Sequence, residues 1–145
     1  MPAFIRQDCI STEAALAAVQ AAVEAGVAMG VEVNAAVVDP GGNLVAFLRR
    51  NGAFLHSIGI AQDKAYTAVG FGMPTDRLRD LIEGNPALRD GMVRRERMAA
   101  FAGGFPIPHE GRTIGGIGVS GASEEQDCQC ARAGLDAIRA ILEEG

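Results

Sequence analysis

Apolar positions recur at helical spacing near both ends of the chain, and the middle is broken into short apolar runs by turn residues. The first helix is expected over about residues 12 to 29. Ser11 or Thr12 caps it, Glu13 suits its positive end, and Leu16, Val19, Val23 and Val27 form its apolar stripe. Gly26 and Gly30 weaken its last turns. Val33 to Val38 reads as a strand, Asp39-Pro-Gly-Gly-Asn43 as a tight turn, and Leu44 to Leu48 as the returning strand of a hairpin. A second helix is expected from Phe54 to Val69, with Ser57, Ala61, Lys64, Ala65 and Ala68 along one side. Pro74 and Thr75 open a short helix that Gly84 ends, and Asn85-Pro86 caps another through Arg97. Met98 to Ala102, Ile107 to His109 and Arg112 to Ser120 read as strands, with a turn at Glu110-Gly111. Ser123-Glu-Glu-Gln126 is a capping box for a final helix that buries Cys128, Ala131, Leu135, Ile138 and Leu142.

Hairpin turns imply an antiparallel sheet, covered here by helices. The chain has 145 residues, the size of one domain, so a single unit over 1–145 is expected. Its net charge of −5 argues against nucleic acid as a partner, and no apolar run is long enough to span a membrane. The N-terminus lacks a signal-peptide pattern and reads as cytoplasmic. Cys9, Cys128 and Cys130 form no paired framework. The last two point about 200° apart on a helix and cannot chelate one zinc together.

Gly116, Gly118 and Gly121 spell G-x-G-x-x-G ahead of a helix, the spacing of a dinucleotide-binding turn. That turn belongs at the start of a βαβ unit and needs a further parallel strand behind it. Only the final helix follows Gly121, so the match reads as a glycine-rich strand end.

Several segments together resemble one family. Ala36-Val-Val-Asp-Pro-Gly-Gly-Asn-Leu-Val-Ala-Phe47, Arg50-Asn-Gly-Ala53, and Ser57-x3-Ala61-x2-Lys64-Ala-Tyr-Thr67-Ala68 are similar to the GlcG/HbpS-like family of heme-degrading and ligand-binding domains, related to the PduO C-terminal domain. Gly103-Gly-Phe-Pro-Ile107, Ile114 to Gly121 and Gln126-Asp127 with Ala133-Gly134 complete the pattern. Asn51 stands where many relatives have Asp. The resemblance implies an α/β fold: a profilin-like layered domain with a five-stranded antiparallel sheet flanked by helices, assembled as a homo-oligomer. It also implies heme or a corrinoid as a possible cofactor class.

Lys64 is the sharpest candidate residue. The lone lysine lies on a small-residue helix face, where it can anchor a carboxylate, serve as a nucleophile, or pair with a buried acid. His56 and His109 are the only histidines, candidate proton carriers or ligands of a heme or corrinoid metal. Arg50, Gly103, Gly104 and Phe105 complete the expected binding set, the two glycines by letting backbone amides reach an anion. Arg49 and the Arg94-Arg95 pair can bind carboxylates bidentately or serve as solvated faces. Asp39 reads as a turn residue. Three functions remain open: an accessory protein that binds an anionic small molecule such as heme and serves a catabolic pathway; an enzyme on a small carboxylated intermediate, an imine or enamine hydrolase or tautomerase with Lys64 as anchor and His56 or His109 moving protons; and a structural assembly subunit.

Overall fold

A computed structural model describes residues 1–145. Five helices and four strands alternate along it: α1 (Thr12–Ala28), β1 (Asn34–Val38), β2 (Leu44–Arg49), α2 (His56–Phe71), α3 (Thr75–Glu83), α4 (Pro86–Met92), β3 (Gly104–His109), β4 (Arg112–Ser120) and α5 (Glu124–Glu144). The strands form one antiparallel sheet in the order β2-β1-β4-β3. Helices α1 and α5 pack together on one face and α2 on the other, giving three layers.

Alternation along β1 assigns its side chains. Ala35 and Val37 enter the larger core with α1 and α5, whereas Ala36 and Val38 meet Ala61 and Ala65 of α2. Across the sheet Ala36 faces Gly118 and Val38 faces Gly116. A Cβ on Gly116 would stand 2.6 Å from the Ala65 carbonyl oxygen, and one on Gly118 would strike the backbone of Ala61 and Ala65. Gly116 and Gly118 therefore let helix backbone lie directly on strand backbone, so α2 fills the space a phosphate would need there, while Gly121 packs against the backbone of Glu32 and Val33.

The alanines of α1 work similarly. Ala14, Ala15, Ala18 and Ala22 are buried beside Val19 and Val23, while Leu16 and Val27, placed on the expected stripe, are half exposed. Small side chains bring α1 against α5, where a Cβ on Gly134 would lie 3.0 Å from the Ala18 carbonyl oxygen. The edge strand β3 carries Pro106 and Pro108, which cannot donate to a further strand.

The sheet has four strands where five were expected. The missing one is Met98–Ala102, whose backbone groups bond to side chains instead of to a neighbouring strand. Ala99 N–H donates to Thr67 Oγ1 (3.0 Å), Thr75 Oγ1 donates to the Phe101 carbonyl (2.6 Å), and Ala102 N–H donates to Glu124 Oε1 (3.0 Å). An extended segment satisfied in this way has no ladder left to join. Helix α4 stops at Met92, well short of the expected Arg97, and the chain continues in turns to Arg97, which has φ 60°.

Candidate functional site

Lys64 projects from the small-residue face of α2 into the interior and is 1 % exposed. Its Nζ donates to the Val119 carbonyl (2.8 Å) at the end of β4 and to Asp127 Oδ2 (3.1 Å) in the first turns of α5. The second oxygen of Asp127 accepts the Ala122 amide at 3.0 Å. The Phe101 ring closes the remaining side, its centroid 5.0 Å from Nζ. Burial drives the Lys64 ammonium below its ordinary pKa, opposed by the charge and hydrogen bond of Asp127. Burial likewise pushes the Asp127 carboxyl up, opposed by Lys64 and the Ala122 amide.

Gly103 and Gly104 crowd against this pair. Gly103 has φ +123°, and a Cβ there would stand 2.7 Å from the Val119 oxygen and 2.8 Å from Lys64 Nζ. A Cβ on Gly104 would lie 2.5 Å from the Lys64 carbonyl oxygen and 2.6 Å from Thr75 Cγ2. The Gly104 amide donates to Thr75 Oγ1 (3.1 Å). These glycines serve close packing around a buried ion pair, with their space taken by protein atoms.

The remaining expected site residues lie elsewhere. Phe105 follows Gly104 and points to the opposite sheet face, where the guanidinium of Arg132 is 5.4 Å from its ring centroid. Arg50 is exposed beyond β2, at the far edge of the sheet from β3. His56 is exposed at the start of α2. His109 sits half-buried at the β3–β4 turn, paired in register with Arg112, while Lys64 lies beside Gly103 at the opposite end of β3. Lys64 thus lies about two turns of α2 from His56 and a strand's length from His109. No three His, Cys, Asp or Glu side chains cluster as a metal site. The thiols of Cys128 and Cys130 are buried and free, and burial pushes Cys130 up to about 11.

Two of the surface depressions set arginines beside an aromatic ring. One, of 340 Å³, lies between α3, α4 and the Ala100–Phe101 segment. Ile82, Val93, Ala100 and Phe101 give it an apolar floor, and Arg79, Arg89 and Glu83 stand at its rim. The Phe101 ring that forms part of this floor is the ring held against Lys64. The other, of 470 Å³, is almost wholly polar and is lined by Tyr66, Arg94, Arg95, Glu96 and Arg97.

Asp127, Thr75, Phe101 and Tyr66 were not singled out from the sequence. A signal for Asp127 existed. It shares a helix face with the buried Ala131 and Gly134, and Lys64 shares a face with Ala61 and Ala65; two isolated opposite charges on buried faces call for each other.

Comparison with known proteins places this geometry. The model of the family described as "Haem degrading protein HbpS-like" matches residues 10–136. An uncharacterized 15.0 kDa protein from the dhaT-dhaS intergenic region of Citrobacter freundii is 35% identical over 128 residues, covering 88% of this chain and 90% of the relative. The crystal structure of an HbpS double mutant from Streptomyces reticuli superposes with a TM-score of 0.84 at 39% identity, covering 92% of this chain and 89% of that one. A PduOC:heme complex superposes with a TM-score of 0.81 at 31% identity, covering 89% and 94% of the two chains. On the matched span and the shared architecture, the chain belongs to the HbpS-like family.

Proposed function

We propose that this protein binds heme, or a similar flat anionic macrocycle, as an accessory protein to a catabolic pathway. The observation that carries the reading is the likeness over most of both chains to a domain solved as a heme complex. The 340 Å³ cleft beside Phe101 suits such a ligand, because it joins an apolar floor to two guanidiniums at the rim. Ile82, Val93 and Phe101 would take the ring face, and Arg79 and Arg89 the carboxylates. Arg79 now reaches Glu124 (3.2 Å) and Arg89 reaches Asp90 (3.1 Å), both in exposed pairs that are weak enough to exchange.

The cleft fits the macrocycle better than it fits the iron. Its lining holds no imidazole, thiol or thioether, and the Glu83 carboxylate is its one anionic oxygen donor. A bound heme would supply redox and oxygen chemistry, while the chain's own groups orient it and shield one face. His56 and His109 lie outside the cleft. Hemin titration is therefore expected to give a saturable Soret band in the wild type that persists in His56→Ala and His109→Ala. Phe101→Ala combined with Arg79→Gln and Arg89→Gln should weaken it by about tenfold or more. Absence of any spectral change with wild-type protein would refute the heme reading, and loss of the band in a histidine variant would move the site.

A further inference from the structure

The polar depression over Tyr66 has no part in that reading, yet it is the more elaborately supported of the two. Its central residue, Arg97, adopts φ 60°, a left-handed conformation that costs a residue with a side chain about 1–2 kcal/mol. Three contacts hold it there. Its carbonyl accepts the Thr67 hydroxyl (3.0 Å), its guanidinium carbon lies 3.8 Å from the Tyr66 ring centroid, and its Nε faces Asp63 Oδ1 at 3.7 Å. The same Thr67 oxygen takes the Ala99 amide, which fixes the chain just beyond.

Tyr66 is itself clamped. The β1–β2 turn presses Gly42 (φ +85°) against the ring, so that a Cβ there would stand 2.7 Å from Cε2. Asp39 wires that turn by accepting the Gly41 amide (2.9 Å), the Asn43 amide (3.0 Å) and the Asn43 side-chain amide. Desolvation would raise the Asp39 carboxyl, but these donors together hold it below its ordinary value, so the turn stays ionised and bonded near neutral pH. The chain of support runs from the turn to the ring and from the ring to Arg97.

Beside Arg97, Arg94 and Arg95 line the 470 Å³ depression with no acidic partner of their own within 4.0 Å. A chain of net charge −5 has thus gathered three guanidiniums around one opening, against the nearby carboxylates Glu96 and Asp63. Solvation alone requires neither the left-handed backbone nor the stacked ring. Strain of this kind persists where the surroundings over-determine it, and it clusters at ligand clamps.

We infer that Arg94, Arg95 and Arg97, with Arg97 stacked on Tyr66, form a binding site for a phosphate monoester, distinct from the apolar cleft beside Phe101. Three guanidinium forks supply more donors than one carboxylate accepts. A phosphate monoester offers three strong acceptor oxygens and close to two negative charges near neutral pH. Tyr66 contributes the rigid surface that keeps the Arg97 fork in place.

The test is calorimetric titration of the full chain with phenyl phosphate at pH 7.5, with benzenesulfonate as the singly charged control and matched ionic strength. Saturable 1:1 binding of the phosphate is expected, at least tenfold tighter than the sulfonate. Binding should weaken below about pH 6, where the dianion takes up a proton and keeps only one negative charge. Arg94→Gln/Arg95→Gln should lose about tenfold or more in affinity with an unchanged melting temperature. Tyr66→Leu removes the platform and should also weaken binding; Tyr66→Phe, which keeps the ring, should restore it. Equal affinity for the sulfonate, no saturation, or unchanged binding in the double arginine variant would each overturn the assignment. Hemin binding is a separate readout, so either reading can fail without the other.

Discussion

Two of the cations that lie over aromatic rings in this protein have surroundings that give them opposite roles. Lys64 sits 5.0 Å from the Phe101 centroid, and Arg97 sits 3.8 Å from that of Tyr66. Each also has an acid nearby, Asp127 at 3.1 Å and Asp63 at 3.7 Å. The lysine and its acid have side chains 1% and 5% exposed, whereas Arg97 and Asp63 are 44% and 36% exposed. Taking both members of a pair out of water makes each dependent on the other, because an unpaired buried charge has no solvent to fall back on. The Arg97 pair keeps its water, so its guanidinium remains free to receive a ligand. The difference teaches that an aromatic-backed cation is a structural brace when buried and a docking group when exposed.

The strongest way to break this comparison is to remove one acid. Asp127→Ala should cost about 3–5 kcal/mol in urea unfolding, since Lys64 would be left charged in the interior. Lys64→Met/Asp127→Leu, which removes both charges, should recover most of that loss. A small cost for the single variant would mean that Lys64 finds water and that the brace is not one.

The next effect is a dependence on pH. Burial raises Asp127 above the ordinary carboxylate pKa, so from about pH 4 upward the folded chain holds a proton that the unfolded chain has released. That contribution to stability is present below the window and is lost as pH rises through the raised value. Lys64 has the reverse sign. Its depressed pKa gives a contribution present above about pH 10.4 that is lost as pH falls through the depressed value. The stability of wild type relative to Asp127→Asn should therefore decline as pH rises above about 4, followed by urea midpoints. A relative stability that grows over this range would show that pairing, not desolvation, dominates.

The smallest effect sharpens the other side. Arg97→Gly loses a cation–π contact of about 0.5–1 kcal/mol but relieves the left-handed backbone, so stability should change by less than about 1 kcal/mol. Phenyl phosphate binding should fall all the same. A large loss of stability instead would make Arg97 a brace like Lys64.

Much of this architecture was legible along the chain. The β1–β2 turn follows from Asp39, Pro40 and the two glycines, and its wiring through the Asp39 carboxylate is local. The capping box of α5 is present as read, with Ser123 and Gln126 satisfying each other's backbone amides. Both are determined by residues within four positions of one another. The Met98–Ala102 segment was misread because its apolar composition suits a strand, while its partners, Thr67, Thr75 and Glu124, lie 22 to 32 residues away. Half of the α1 stripe misled for a related reason: Val19 and Val23 are buried as expected, but Leu16 and Val27 are not. Large residues suggest a buried face, but close packing of two helices and a sheet selected the alanines.

The candidate residues divide along the same line. Lys64 stood out because a lone lysine on a face of small residues is a chemical anomaly visible in the sequence. Its link to Asp127 spans 63 positions, and no local pattern states it. Tyr66 and Arg97 looked ordinary, and only the folded backbone stacks one on the other. By itself the sequence determined the turns, the caps and the helices other than the extent of α4, because those depend on backbone dihedrals and hydrogen bonds between near neighbours. The tertiary structure alone decided which charges are buried, which are stacked and which stay open to solvent. Those outcomes depend on desolvation, and desolvation is set by whatever the fold brings alongside.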